Sequence, residues 1–202
     1  MTHRLAFEEA TAFFVSTVEQ TPDDGWDRPA LGVWTVRDLV GHTCRSLTVI
    51  EGYAAQPASG VDIHSTAEYF QKALEQTSVH DSIAQRGKEA GQSLGDDPKA
   101  SVRDAAKSVL SLLDGMADDT ILGLPWGGIR LVDYLPTRVF ELTIHTLDLA
   151  ESLKVKAEPP DQALSVTLHI LADMASLGGH GTAALMALTG RRSLPTGFSL
   201  VG

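Results

Sequence analysis

Thiol chemistry is almost absent from this chain: among its 202 residues there is one cysteine, Cys44. That excludes an internal disulfide framework and suits a reducing compartment. Positive charge is scarce as well, with 16 Lys and Arg against 26 Asp and Glu and a net charge of −10. A chain without a basic cluster neutralises few phosphates, so nucleic acid is excluded as a partner and an anionic membrane surface is disfavoured. No uninterrupted apolar run reaches the roughly 18 residues of a membrane span. Near the start, Glu8 and Glu9 break the apolar stretch where a secretory signal would lie. The expectation is a cytoplasmic protein forming a single domain over residues 1–202.

Sustained alternation of apolar and polar residues, the mark of strands, is missing too; at most a short pairing is expected near "GGIRLV". What is present is helical spacing. A first helix is expected over residues 5–19, around Leu5, Phe13, Phe14 and Val18, before Pro22, Gly25 and Pro29 break it. A second starts at Thr35, a natural N-cap with Asp38 three residues on, and turns Leu39, Val40, Leu47, Ile50 and Tyr53 to one side. A third, more polar helix is expected over 65–92 around Tyr69, Phe70, Leu74, Val79 and Ile83, and a fourth over 100–116. A fifth covers 131–153, followed after "KAEPPD" by helices at 161–177 and near 182–188. The fold class expected is all-α: a bundle in which four long helices bury most of the core, with additional short C-terminal helices.

Within the fifth helix, "RVFELTIHTLDLA" sets Glu141 and His145 four residues apart, hence on one face. Taking Glu141 as zero, His145 falls at about 40°, Asp148 at about −20°, Arg138 at about 60° and Tyr134 at about 20°. Apolar residues occupy almost all the remaining arc. The stripe therefore either faces solvent along an otherwise buried helix or lines an interior recess where polar groups converge. A metal would need a further ligand from a facing helix. His42, two turns into the second helix, is the candidate, although a lone histidine there also reads as an ordinary packed core residue.

Two segments carry a resemblance. "WTVRDLVGH", Trp34 to His42, is followed about a hundred residues later by "RVFELTIHTLDLA". The pair resembles the DinB-like metal-binding bundles and, more narrowly, the mycothiol-dependent maleylpyruvate isomerase branch. The tail "ALMALTGRRSLPTGF", residues 184–198, is similar to that branch's closing segment. The resemblance implies a DinB-like four-helix bundle and a divalent metal, usually taken as zinc, held by His42, Glu141 and His145. It implies as cofactor mycothiol or a similar low-molecular-weight thiol, and a transferase or isomerase acting on an electrophilic small molecule. Three protein ligands would leave an open position at which the thiol becomes a reactive thiolate. Asp148 falls on the family's H-x-x-D position, where a partner could fix the His145 ring. Arg138 is a candidate to orient an anionic substrate through its planar fork, with an ion pair on its own helix as the plainer reading. Arg86 is a weaker candidate for the same work at the cofactor.

The other conspicuous residues point elsewhere. Cys44 lies about 200° around the helix from His42 and reads as a small core residue. Trp34 is placed to staple the preceding loop onto the second helix. His64, His80, His169 and His180 share no spacing with a second ligand. About 50 residues follow the Glu141–His145 helix, too few for the C-terminal domain of the fully equipped isomerase, so the substrate is left open. Two further readings stand beside the enzyme: a non-catalytic metal- or ligand-binding bundle, and a structural homodimer whose polar stripe faces water.

Overall fold

The structure, a computed structural model, describes residues 3–75 and 80–201. Four helices form the central bundle: α1 (His3–Val18), α2 (Val36–Ala54), α5 (Pro98–Asp114) and α6 (Leu131–Leu153). They pack in a closed ring, α1 on α6, α6 on α2, α2 on α5 and α5 on α1. Phe7, Phe14, Leu39, Leu47, Ile50, Val109, Leu135 and Leu142 fill the space between them. Around the ring lie α3 (Thr66–Glu75), against α6, and α4 (His80–Ser93), against α2. A two-stranded antiparallel hairpin, β1 (Ile121–Leu124) and β2 (Gly127–Arg130), follows α5. Beyond α6 come α7 (Asp161–Leu177), across α6 and α1, and α8 (Gly181–Leu188).

The all-α expectation holds, with the short pairing where it was anticipated. Of the helix expected over 65–92 the structure describes two helical stretches, α3 and α4, which pack on different members of the ring. Residues 76–79, Val79 among them, lie outside the described residues, as do the side chains of Leu74, His80 and Ile83. Leu5, one of the apolar residues that mark the first helix, is 44% exposed, and Ala6, Phe7 and Ala10 take inward positions. The fourth helix begins two residues early because Asp97 caps Ala100 N and Pro98 occupies the first turn, where its missing N–H costs nothing. With 17 residues, α7 is as long as α5. By contrast, α8 buries none of its side chains, and Leu185 and Leu188 are largely exposed. No helix among the described residues is long and apolar enough to cross a membrane.

Three local arrangements fix the helices that matter most. At the start of α2 the Thr35 side chain accepts from Asp38 N while the Asp38 carboxylate accepts from Thr35 N, a complete capping box. Beside it, α4 crosses α2 backbone to backbone: a Cβ on Gly41 would lie 2.2 Å from Gly91 N. Glycine at 41 is thus required by approach, not by dihedral angle. In α6, Pro136 has no N–H to give Val132 four residues earlier. His3 Nδ1, from α1, lies 2.9 Å from that Val132 carbonyl and takes the missing donor's place.

Candidate metal site

Because the ring sets α2 against α6, His42 meets Glu141 and His145. One ligand atom from each of the three lies within 4.8 Å of the others. His145 Nε2 is 3.4 Å from Glu141 Oε2. Zinc ligands at ~2.0–2.2 Å in a tetrahedron stand roughly 3.3 Å apart, so this pair already has the spacing, and a His42 ligand atom lies within 4.8 Å of both. His42 Nδ1 is buried with no hydrogen-bond partner. A buried imidazole nitrogen left unpaired beside a carboxylate and a second imidazole is what a metal-binding donor set presents in the absence of an ion. The residues present therefore fit a divalent metal.

The polar stripe turns out to be neither wholly wet nor wholly buried. Its Tyr134 and Arg138 end is packed away, at 1% and 8% exposure. At its other end the His145, Glu141 and Asp148 side chains are 17%, 24% and 28% exposed, a partly open floor that solvent reaches. The stripe thus runs from a buried end to a partly exposed one.

Burial and neighbouring charges shift the three donor groups from their ordinary ranges. Burial, reinforced by the nearby His145, pushes the His42 imidazole down to about 4, so it is neutral at pH 7. Burial alone would raise the Glu141 carboxyl, but His145 and the Arg138 charge outweigh it and bring it down to about 2. For His145 burial is likewise overcome: bonds to Asp148 and Glu141 hold it up at about 9. Its Nδ1 donates to Asp148 Oδ2 at 3.0 Å, which fixes the ring and turns Nε2 to the site.

The remaining candidates are placed as follows. Asp148 bonds His145, in the position the spacing suggested. Arg138 makes no ion pair within 4 Å among the described residues; its Nε donates to Thr137 Oγ1 and its other arm to the Tyr69 hydroxyl, each at 2.9 Å. Arg86 is exposed on α4, outside the donor cluster, one residue before Gly87, which seats against Trp34. Cys44 is a core residue as anticipated, and burial pushes its thiol up to about 11. His64 and His169 are exposed, and His180 packs on Phe198.

Two contributors were not assigned to the site from the sequence. Trp34 does more than staple a loop: its ring lies over His42 with centroids 4.5 Å apart, and its Nε1 donates to Ala84 O of α4. Its place at the head of the "WTVRDLVGH" motif, two turns before His42, was the available signal. Tyr69, on α3, had none, because nothing in its local spacing points at α6.

A helical bundle that brings two histidines and a glutamate from facing helices to one point is of the DinB-like metal-binding class. The chain belongs to the family described as the mycothiol maleylpyruvate isomerase N-terminal domain, whose sequence model matches residues 7–150. That span contains both motifs and all of α1 to α6 except the ends of α1 and α6, while the tail at 184–198 lies outside it. No curated protein and no solved structure matches the chain.

Proposed function

We propose that this protein is a metal-dependent enzyme in which a small thiol, mycothiol or a close equivalent, is activated to attack or isomerise an electrophilic small molecule. The observation that carries the reading is the convergence of His42, Glu141 and His145 within 4.8 Å at a partly open floor between α2 and α6. A divalent metal held there, zinc in the family's habit, supplies an open coordination position and the charge that keeps a thiol ionised and nucleophilic.

The chain's own groups are arranged for that role. His42 and Glu141 are already in their binding forms at neutral pH. Asp148 orients His145, and Trp34 closes one side of His42 so that the imidazole cannot swing towards α4. Cys44 is buried and held protonated, so the chain offers no thiolate of its own and the nucleophile must come from outside. The exposed rim at Glu141 and Asp148 is where the thiol and the electrophile enter.

The test is elemental analysis of the purified protein beside His42→Ala and Glu141→Ala, followed by thiol-consumption assays against electrophiles. Near-stoichiometric zinc or another divalent metal, lost in both variants, with metal-dependent thiol consumption, supports the enzyme. Metal without thiol consumption leaves a binding bundle. No metal after zinc addition removes the reading.

A further inference from the structure

An arginine three residues before a glutamate on a helix normally reaches it and forms an ion pair. Arg138 does not. Its guanidinium lies 4.9 Å from the Tyr134 ring centroid and 5.4 Å from that of Tyr69, against two rings whose own centroids are 5.7 Å apart. Two of its N–H groups are taken by Thr137 Oγ1 and the Tyr69 hydroxyl. Tyr69 comes from α3, Tyr134 and Thr137 from the turn of α6 before Arg138, so the groups that hold the cation carry no charge. The arginine is buried, yet its positive charge is felt at Glu141 and at His42.

We propose that Tyr69 and Tyr134 hold Arg138 back from Glu141, so that it serves the site as a fixed positive charge without competing for the carboxylate, and that this charge selects an anionic ligand at the open position. The inference rests on the metal reading above and concerns what the loaded site prefers. A guanidinium free to swing would pair bidentately with Glu141 and occupy the oxygens that a metal needs. Held back, it leaves those oxygens available. A divalent cation and the Glu141 and Asp148 carboxylates cancel one another, so a bound thiolate adds one negative charge to a partly buried site, an unfavourable state where the dielectric is low. Arg138 is the arginine whose charge is felt at Glu141, with Arg45 acting beside it at His42, so losing Arg138 removes part of the positive charge that balances the anion. Arg138 is a positioning and charge-setting residue, since it touches neither donor atoms nor ligand.

Cobalt-loaded protein provides the test, because Co²⁺ reports its ligands through visible absorption. Metal affinity is measured by competition with a chromophoric chelator, and the open position is titrated with azide, an anion, and with imidazole, a neutral ligand. In Arg138→Met, azide affinity should fall about tenfold or more while imidazole affinity stays within twofold, and Arg138→Lys should retain most of the azide affinity. In Tyr69→Phe, which keeps the ring and removes the hydroxyl, Co²⁺ affinity should fall about tenfold as the freed guanidinium pairs with Glu141. Combining Tyr69→Phe with Arg138→Met should restore it, which a merely structural tyrosine would not do. Azide and imidazole affinities falling together in Arg138→Met, or neither falling, overturns the charge role. Unchanged Co²⁺ affinity in Tyr69→Phe, or no recovery in the double variant, overturns the holding-back. Wild-type protein that binds no Co²⁺, or His42→Ala that binds it as well, fails at an earlier step and removes the metal reading itself.

Discussion

His145 donates from Nδ1 to Asp148 at 3.0 Å while its Nε2 stands 3.4 Å from Glu141, so one imidazole is held at both nitrogens by carboxylates of its own helix. The Asp148 bond chooses which nitrogen faces the site. Removing it frees the ring to rotate and lowers the basicity of Nε2. Asp148→Ala should therefore weaken zinc binding by about 10- to 100-fold with helix content unchanged, and Asp148→Asn by less, since the amide can still accept from Nδ1. Competition with a chromophoric chelator measures both; equal affinity in all three proteins would remove Asp148 from the site.

Metal binding should release a proton. In the metal-free protein His145 stays protonated up to about pH 9, whereas His42, at about 4, and Glu141, at about 2, have already lost theirs. A metal must displace the His145 proton, so affinity should rise about tenfold per pH unit between pH 5 and about 9 and then level off. Calorimetry in buffers of different ionisation enthalpy counts the proton directly. The raised His145 value also has a stability consequence of fixed sign: its contribution to the metal-free fold is complete below pH 6.5 and lost as pH climbs through about 9. The metal-free protein should thus soften over the same alkaline range in which metal binds best.

Gly41→Ala tests the crossing of α2 and α4. Helix propensity alone favours the change by about 1 kcal/mol. Against this, the new Cβ would meet Gly91 N at 2.2 Å and the Ala90 carbonyl carbon at 2.4 Å, and backbone cannot give way as a side-chain tip can. The clash wins, and a net loss of roughly 1–3 kcal/mol is expected in urea titration. Because Gly41 precedes His42, metal affinity should fall as well. A stabilised variant would mean that α4 sits further from α2 than described.

His3 and Pro136 should be energetically coupled. His3→Ala strands the Val132 carbonyl that Pro136 leaves without its helical donor, at a cost of about 1 kcal/mol. In a Pro136→Ala background the helix can supply that donor, and the His3→Ala cost should shrink towards zero. A double-mutant cycle in urea reads the coupling, and additive losses would exclude it.

Cys44 should be silent. Buried and with its thiol pushed up to about 11, it should resist iodoacetamide in the native protein at pH 8 and react only on unfolding. Cys44→Ala should retain metal affinity and any thiol-dependent activity. Rapid native alkylation coupled to loss of activity would place the nucleophile in the chain.

Local chemistry made parts of this fold legible in the sequence. The capping box at Thr35 and Asp38, the break around Pro159 and Pro160 and the uninterrupted pattern of α6 gave boundaries within a residue or two. The three donors could be nominated because each motif sits on one regular helix, where spacing converts directly to direction. Less visible was anything set by contacts between distant segments. That the stretch at 66–75 packs on α6 while the stretch at 80–93 packs on α2 through Gly41 and Gly91 is encoded by no local pattern. The same limit hid Tyr69 and left the polar stripe ambiguous: its buried end is buried only because another helix lies over it.

The donor set is divided unevenly, one ligand on α2 and two on α6, about a hundred residues apart in the chain. A peptide containing only α6 would keep Glu141 and His145 on one face as a weak two-armed chelate. The third arm exists only while α2 is docked. Occupancy would then act as a reporter of tertiary integrity: partial opening that releases α2 should discharge the ion before the secondary structure melts. Conversely, saturating metal should act as a clasp between two helices already packed together and raise the melting temperature in proportion to the logarithm of its free concentration.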